Sequence, residues 1–158
     1  VTPACLVLDA AGIEYEQHKY HHDPAATSYG EEAANALGVE PDHVFKTLMA
    51  ELDTGELVVA IVPVSGMLDL KLLASACGAK KAAMAQVDVA ERSSGYVSGG
   101  ISPFGQRNQR RTVLDETATI CDAIFVSGGR RGFDISLSPV DLANVVDAII
   151  APIRWQNR

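Results

Sequence analysis

The chain has 158 residues, 47 % hydrophobic and 21 % charged, with a formal net charge of −7. That length can carry one domain with a sizeable core, and the balance is that of a water-soluble globular protein. The acidity excludes a protein that grips nucleic acid over a broad basic surface, and apolar runs such as 57–64 are too short to cross a bilayer.

Thr2 and Pro3 read as cap and first residue of a helix over 4–11, stopped by Gly12. Residues 13–20 alternate apolar and polar and predict a strand that ends at His21-His22-Asp23-Pro24. Ser28 and Glu31 have capping-box spacing before a helix over 32–37, and Gly38 closes it. The runs 44–52 and 56–64, separated by Asp53-Thr54-Gly55, predict a β-hairpin, with Pro63 near the end of its second strand.

A helix over 69–77 stops at Gly78, a short strand covers 82–84, and a second short helix covers 87–93. Residues 95–98 are β-prone and lead into the loop Gly99-Gly100-Ile101-Ser102-Pro103-Phe104-Gly105. Strands follow over 112–115, 123–127 and 133–137, the last two joined by the turn 128–132. A helix capped by Ser138-Pro139 runs to about residue 150. Hairpins with interspersed helices predict an α+β domain over 1–158, with a curled, mainly antiparallel sheet covered by helices. No repeat, linker or low-complexity segment interrupts it.

No charged segment followed by an apolar stretch opens the chain, so no secretory leader is expected. Cys5, Cys77 and Cys121 are odd in number and lack CxxC spacing, so neither a disulfide framework nor a zinc site is expected. Their apolar contexts read as small core residues, and a reducing cytoplasm fits. Contact with one end of an RNA through a local basic spot stays open. The candidates are Arg107, Arg110 and Arg111, Arg130 and Arg131, and Lys80-Lys81.

GxSxG, Walker A, HExxH and GxGxxG motifs are absent. His18, His21, His22 and His43 have no ligand spacing, and no metal or cofactor is expected. Lys46 stands in the apolar run Val44-Phe45-Lys46-Thr47-Leu48-Met49, on the strand face of Val44 and Leu48. A lysine there must reach water, a carboxylate or an anionic ligand. Asp134 interrupts Phe133-Asp134-Ile135 in the same way, and Ser127 ends the strand before a second double glycine. In the loop, Gly99 and Gly100 allow conformations with positive φ and bare amides, and Pro103 stiffens the segment around it. Such amides suit a carbonyl oxygen, a carboxylate or a phosphate. An ordinary surface loop is the plainer alternative.

Four strings carry a resemblance: Ser28-Tyr29-Gly30-Glu31-Glu32-Ala33-Ala34, Val44-Phe45-Lys46-Thr47-Leu48, Gly99-Gly100-Ile101-Ser102-Pro103, and Phe125-Val126-Ser127-Gly128-Gly129-Arg130-Arg131-Gly132. In this order they resemble the YbaK/EbsC-type Cys-tRNA(Pro) deacylases, relatives of the editing domain of bacterial prolyl-tRNA synthetases. The resemblance implies that fold and a trans-editing enzyme that clears cysteine from the 3′ end of tRNA(Pro), with prolyl-tRNA synthetase as partner. It implies that Lys46 contacts the terminal adenosine phosphate or ribose, that Gly99 and Gly100 hold the aminoacyl carbonyl, and that Ser127 and Asp134 orient the aminoacyl group. Tyr20 would stand at the pocket wall. Tyr29 replaces the phenylalanine expected there and adds a hydroxyl.

The sequence itself offers no evident nucleophile–base pair, and the resemblance further implies that the substrate's own thiol attacks its ester. Two alternatives stay open at this point. One is hydrolytic deacylation of Ala-tRNA(Pro) within the same superfamily. The other is an aminoacyl- or nucleotide-binding module without turnover.

Overall fold

Thr2 caps the first helix, α1 (Pro3–Ala10), by accepting the Cys5 N–H, and Pro3 at its start has no N–H to leave unsatisfied. The computed structural model describes residues 1–156. Ile13 and Tyr15 do not pair as strand. The Ile13 N–H donates to Leu8 O, and the Tyr15 hydroxyl donates to Asp9, so this stretch wraps the end of α1. The strand predicted over 13–20 is therefore shorter, β1 (Glu16–Lys19).

Ser28 sits at the cap position of α2 (Tyr29–Leu37), but its side chain bonds no helix N–H. The predicted capping box does not close. Glu32 reaches back instead, accepting the Asp23 N–H at 2.7 Å and meeting His22 at 2.7 Å. Gly38 ends α2 in the left-handed region, as expected.

β2 (Phe45–Leu52) and β3 (Leu57–Pro63) form the predicted hairpin in antiparallel register, Lys46 opposite Val62. α3 (Leu70–Ala76), β4 (Ala82–Met84) and α4 (Val87–Ser94) come next. Residues 95–98 are not a strand. Gly95 takes φ 80° to end α4, the Tyr96 N–H donates to Ser94 Oγ, and the Ser98 N–H donates to Glu91. These side-chain partners hold the segment as a loop.

β5 (Arg111–Asp115), β6 (Ile124–Arg130) and β7 (Phe133–Leu137) complete the predicted strands. α5 (Pro139–Val146) is shorter than expected, because Asp147 turns left-handed at φ 51°. Ala148 N–H closes onto Ala143 O, and the chain then adds β8 (Ile149–Ala151) in parallel to β5.

The strands form two sheets rather than one curled sheet, in the orders β1-β7-β6 and β4-β2-β3-β5-β8. They touch through a parallel bridge between Val44 and Phe125. Pairing is antiparallel except for β3–β5 and β5–β8. β3 is central in its sheet and buried on both faces, which explains its unbroken apolar run.

Alternation sorts the core. Phe45, Met49, Val59 and Ile61 face a cluster with Leu8 of α1, Leu142 of α5 and Ile124, Val126 and Ile135 of the smaller sheet. Ala50, Val58, Ala60 and Val62 face Leu73 of α3 on the other side. Cys5 and Cys77 are buried and Cys121 is half-buried, all as free thiols.

Candidate active site

The site arises where β2 loses its neighbours. β4 pairs only with Ala50, Glu51 and Leu52, and β6 touches the strand's other end at Val44. Between these contacts no strand pairs with that edge of β2 among the described residues. A cavity of about 280 Å³ opens at the gap. This is close to the smallest pockets that take small molecules, about 300 Å³, so it suits the end of a ligand rather than a large body.

Lys46, Tyr20, Tyr29, Gly99, Ser127 and Asp134 all line the cavity. Segments distant in sequence thus converge: β2, the start of α2, the glycine loop, and the paired strands β6 and β7, where Ser127 stands opposite Asp134. Gly100 lies behind the wall. Its N–H donates to Val97 O at 2.9 Å, and a Cβ on it would fall 2.7 Å from the Arg130 Cα, so the two loops pack backbone to backbone. Several of the loop's N–H groups make no hydrogen bond among the described residues, those of Gly99 and Ile101 among them. Both of these residues line the cavity.

The second half of the loop is scaffolding. Ser102 is fully buried, its Oγ accepts the Phe104 N–H, and its carbonyl accepts from the Gln106 side chain. The Tyr96 hydroxyl donates to Phe104 O at 2.6 Å. The loop is therefore pinned before any ligand arrives.

Tyr29 packs directly on Gly99. With φ 85° at Gly99, a Cβ there would meet the Tyr29 ring at 2.8 Å. The Arg131 guanidinium lies 4.8 Å from the centre of that ring, and its Nε–H donates to Ser98 O at 2.8 Å. The His22 ring stands 5.9 Å from the Tyr29 ring and is itself held by Glu32.

Two charged groups in the wall lack a close counter-ion among the described residues. Lys46 is half-buried, and burial lowers its pKa, opposed by the charge of Glu31. Asp134 is only 5 % exposed, and burial alone pushes its carboxyl up to about 7. Tyr20 is pushed up to about 12, first by burial and then by the charge of Asp134. The Ser127 Oγ accepts the Gly129 N–H at 3.2 Å, which leaves its O–H to donate.

Sequence reasoning passed over Thr47, Ser28 and Ile101, which also line the cavity. The Thr47 Oγ1 is buried with no partner among the described residues. Strand alternation puts Thr47 and Lys46 on opposite faces, and only the open edge of β2 lets both reach one cavity. The one available signal was Ser28, a cap residue in a helix start rich in polar groups. Among the described residues, no group of three or more His, Cys, Asp or Glu side chains is arranged to hold a metal ion.

The basic residues divide. Arg111 is taken by Glu56 through two bonds of 3.1 and 2.8 Å, and Arg110 is bonded to Ser93 Oγ. Arg131 alone among these reaches residues that line the cavity, namely Tyr29 and Ser98.

The family model for the aminoacyl-tRNA editing domain matches residues 22–145. A protein of Enterococcus faecalis (strain ATCC 700802 / V583) named "Putative Cys-tRNA(Pro)/Cys-tRNA(Cys) deacylase EbsC" is 37 % identical over 152 residues, 96 % of this chain and 92 % of that protein. The solved structure of the hypothetical protein APE2540 superposes with a TM-score of 0.87 at 22 % identity, covering 97 % of this chain and 99 % of that one. A structure described as "a putative trans-editing enzyme for prolyl tRNA synthetase" superposes with a TM-score of 0.82 at 22 % identity, covering 98 % and 96 %. At that identity the two structures speak for the fold, and the mixed α+β architecture is theirs. No described helix is long and apolar enough to span a membrane. On the family match and the 37 % identical relative, the chain belongs to the aminoacyl-tRNA editing domain family.

Proposed function

We propose that residues 1–158 act as one editing domain, a cytoplasmic deacylase that removes cysteine from mischarged tRNA(Pro) in trans. One observation carries this reading. The cavity joins a half-buried lysine, uncommitted loop amides and a buried carboxyl without a counter-ion, and no cysteine or histidine lines it. The site is built to hold and polarise an ester rather than to attack it.

The terminal adenosine enters with its phosphate or ribose at Lys46. The ester carbonyl faces the Gly99 and Ile101 amides, donors for the oxyanion that develops there. Gly100 serves this reading by setting the loop's position, since its own N–H is committed to Val97. The substrate's α-ammonium pairs with Asp134, which ionises on gaining that partner. Ser127 and Tyr20 fix the aminoacyl group from the sides.

The cysteine sulfur then attacks its own carbonyl carbon. The tetrahedral intermediate expels the ribose oxygen, the thiol proton ends on that oxygen, and the amino acid leaves as a thiolactone. An intramolecular attack of this kind gains from high effective molarity once the conformer is fixed. None of the protein's cysteines lines the cavity, and none is needed. The relative named for Cys-tRNA(Pro) and Cys-tRNA(Cys) supports cysteine as the amino acid. The net charge of −7 supports delivery of the tRNA by prolyl-tRNA synthetase rather than by broad electrostatic capture.

The test is the enzyme with Cys-, Ser- and Ala-tRNA(Pro), each measured against a control without enzyme. Enzyme-dependent release of cysteine alone is expected. Comparable release of serine or alanine would make water the nucleophile and overturn the thiol mechanism.

A further inference from the structure

Beside the cavity, the end of β6 and the turn after it carry two arginines held against aromatic rings. The Arg130 guanidinium lies 4.9 Å over Phe133, and that of Arg131 lies 4.8 Å over Tyr29. Both arginines are exposed. Neither has a carboxylate within 4.0 Å among the described residues, whereas Arg92 pairs with Asp88 and Arg111 with Glu56. In a chain of net charge −7 this is a small unneutralised cationic spot, and Arg131 stands at the rim of the cavity, against its lining residues.

Arg131 is the better placed of the two. Its Nε–H is spent on Ser98 O and its flat face on Tyr29, and both of those residues line the cavity. These contacts fix the guanidinium plane, and the terminal nitrogens of this exposed residue make no hydrogen bond among the described residues. A pre-oriented guanidinium with free donors suits a phosphate better than a freely rotating lysine does. Stacking on Tyr29 also means that its position follows the wall on which the aminoacyl end would rest.

We propose that Arg131 is a phosphate anchor for the RNA strand leaving the cavity, binding a phosphodiester upstream of the terminal nucleotide, with Arg130 adding charge beside it. The proposal rests on the reading of the cavity as an aminoacyl-tRNA site. It extends that reading from the reacting end to the strand behind it. The cavity of about 280 Å³ has room for no more than the aminoacylated terminal nucleotide, so the strand behind it must cross the rim. A single rim contact also suits an acidic protein that needs to position one strand without holding a whole tRNA.

The experiment compares two non-cleavable probes, 3′-(cysteinylamino)-3′-deoxyadenosine and the same group ending a CCA trinucleotide. Affinities are measured for the wild type, Arg131→Gln and Arg131→Lys over a range of salt. Thermal melts confirm that each variant is folded. On the trinucleotide, Arg131→Gln should lose about tenfold, and the salt slope should fall by about 0.7 for one phosphate contact. The loss on the nucleoside should be at least about fivefold smaller, and Arg131→Lys should keep most of the slope. Equal losses on both probes would make Arg131 only a brace for Tyr29 and the loop, and an unchanged slope would remove the phosphate contact. Wild-type turnover of Cys-tRNA(Pro) in the same buffer separates the two claims. If turnover fails while the slope change holds, the editing reading falls and the phosphate anchor stands.

Discussion

Replacing Asp134 by Asn should remove one pH-dependent contribution to stability, that of this carboxyl. The carboxyl is 5 % exposed and burial raises its pKa to about 7 from the ordinary 3.8, a difference of about 3 units. Below pH 3.8 folded and unfolded chains both hold the proton, and this group contributes no slope. Between 3.8 and 7 the unfolded chain has lost the proton and the folded chain keeps it, so stability falls as pH rises, by about 1.4 kcal/mol per unit. Above 7 both forms are ionised and the slope ends. The full span is on the order of 4 kcal/mol, an upper value that water entering the cavity would reduce.

Asn keeps the shape and carries no charge, so the variant should gain on the wild type by roughly that amount between pH 4 and 8. Urea unfolding of both proteins across this range measures the difference, and contributions common to both cancel. The expected curve for variant minus wild type climbs from pH 4 and levels off near pH 8. A flat difference would refute the reasoning, because Asp134 would then ionise in the folded protein as easily as in the unfolded one. In the proposed reaction the same substitution removes the partner of the α-ammonium, so stability should rise while kcat/KM falls.

Three further outcomes rest on geometry. Gly99→Ala puts a Cβ 2.8 Å from the Tyr29 ring at φ 85°. It should cost at least about 1 kcal/mol in stability and slow deacylation by about 100-fold as the wall shifts; an unchanged rate would mean that the loop does not position the ester. Asp115 is 1 % exposed and accepts the N–H groups of Ile153, Arg154 and Thr117. Asp115→Ala should cost about 3 kcal/mol and lower Tm by about 6–12 °C, read by a thermal melt, and a melt within a degree of wild type would contradict this. Because burial lowers the Lys46 pKa, the alkaline limb of the rate profile should fall below the ordinary lysine value of 10.5. Lys46→Arg should remove that limb if the variant turns over, and an identical limb in the variant would assign it to another group.

Where a local rule governed, the sequence was legible. The Asp53-Thr54-Gly55 turn between two apolar runs led to the β2–β3 hairpin, and Thr2-Pro3 and Ser138-Pro139 marked helix starts that the structure keeps. The errors lie where tertiary partners override local preference. Tyr96 and Val97 have strand propensity, but Ser94, Glu91 and Phe104 capture the polar groups of their segment and make it a loop. Residues 139–150 read as one apolar helix, but Asp147 turns left-handed and β5 offers an edge to Ile149.

The site was legible in the same uneven way. Polar residues interrupting apolar strands, Lys46 and Asp134, are costly in isolation, and that cost marked them. Thr47 carries no such signal, because its role depends on where β4 stops pairing with β2. Gly100 looked equivalent to Gly99 in sequence. The structure separates them by one hydrogen bond to Val97 and by the close approach of Arg130.

The most direct test of the central claim is single-turnover deacylation of Cys-tRNA(Pro) beside Ala-tRNA(Pro), by the wild type and by Lys46→Ala. The account predicts rapid loss of cysteine only, abolished in the variant. Equal loss of alanine would replace the thiol mechanism with hydrolysis. No loss of either at high enzyme, with prolyl-tRNA synthetase present, would contradict the account and leave a binding module.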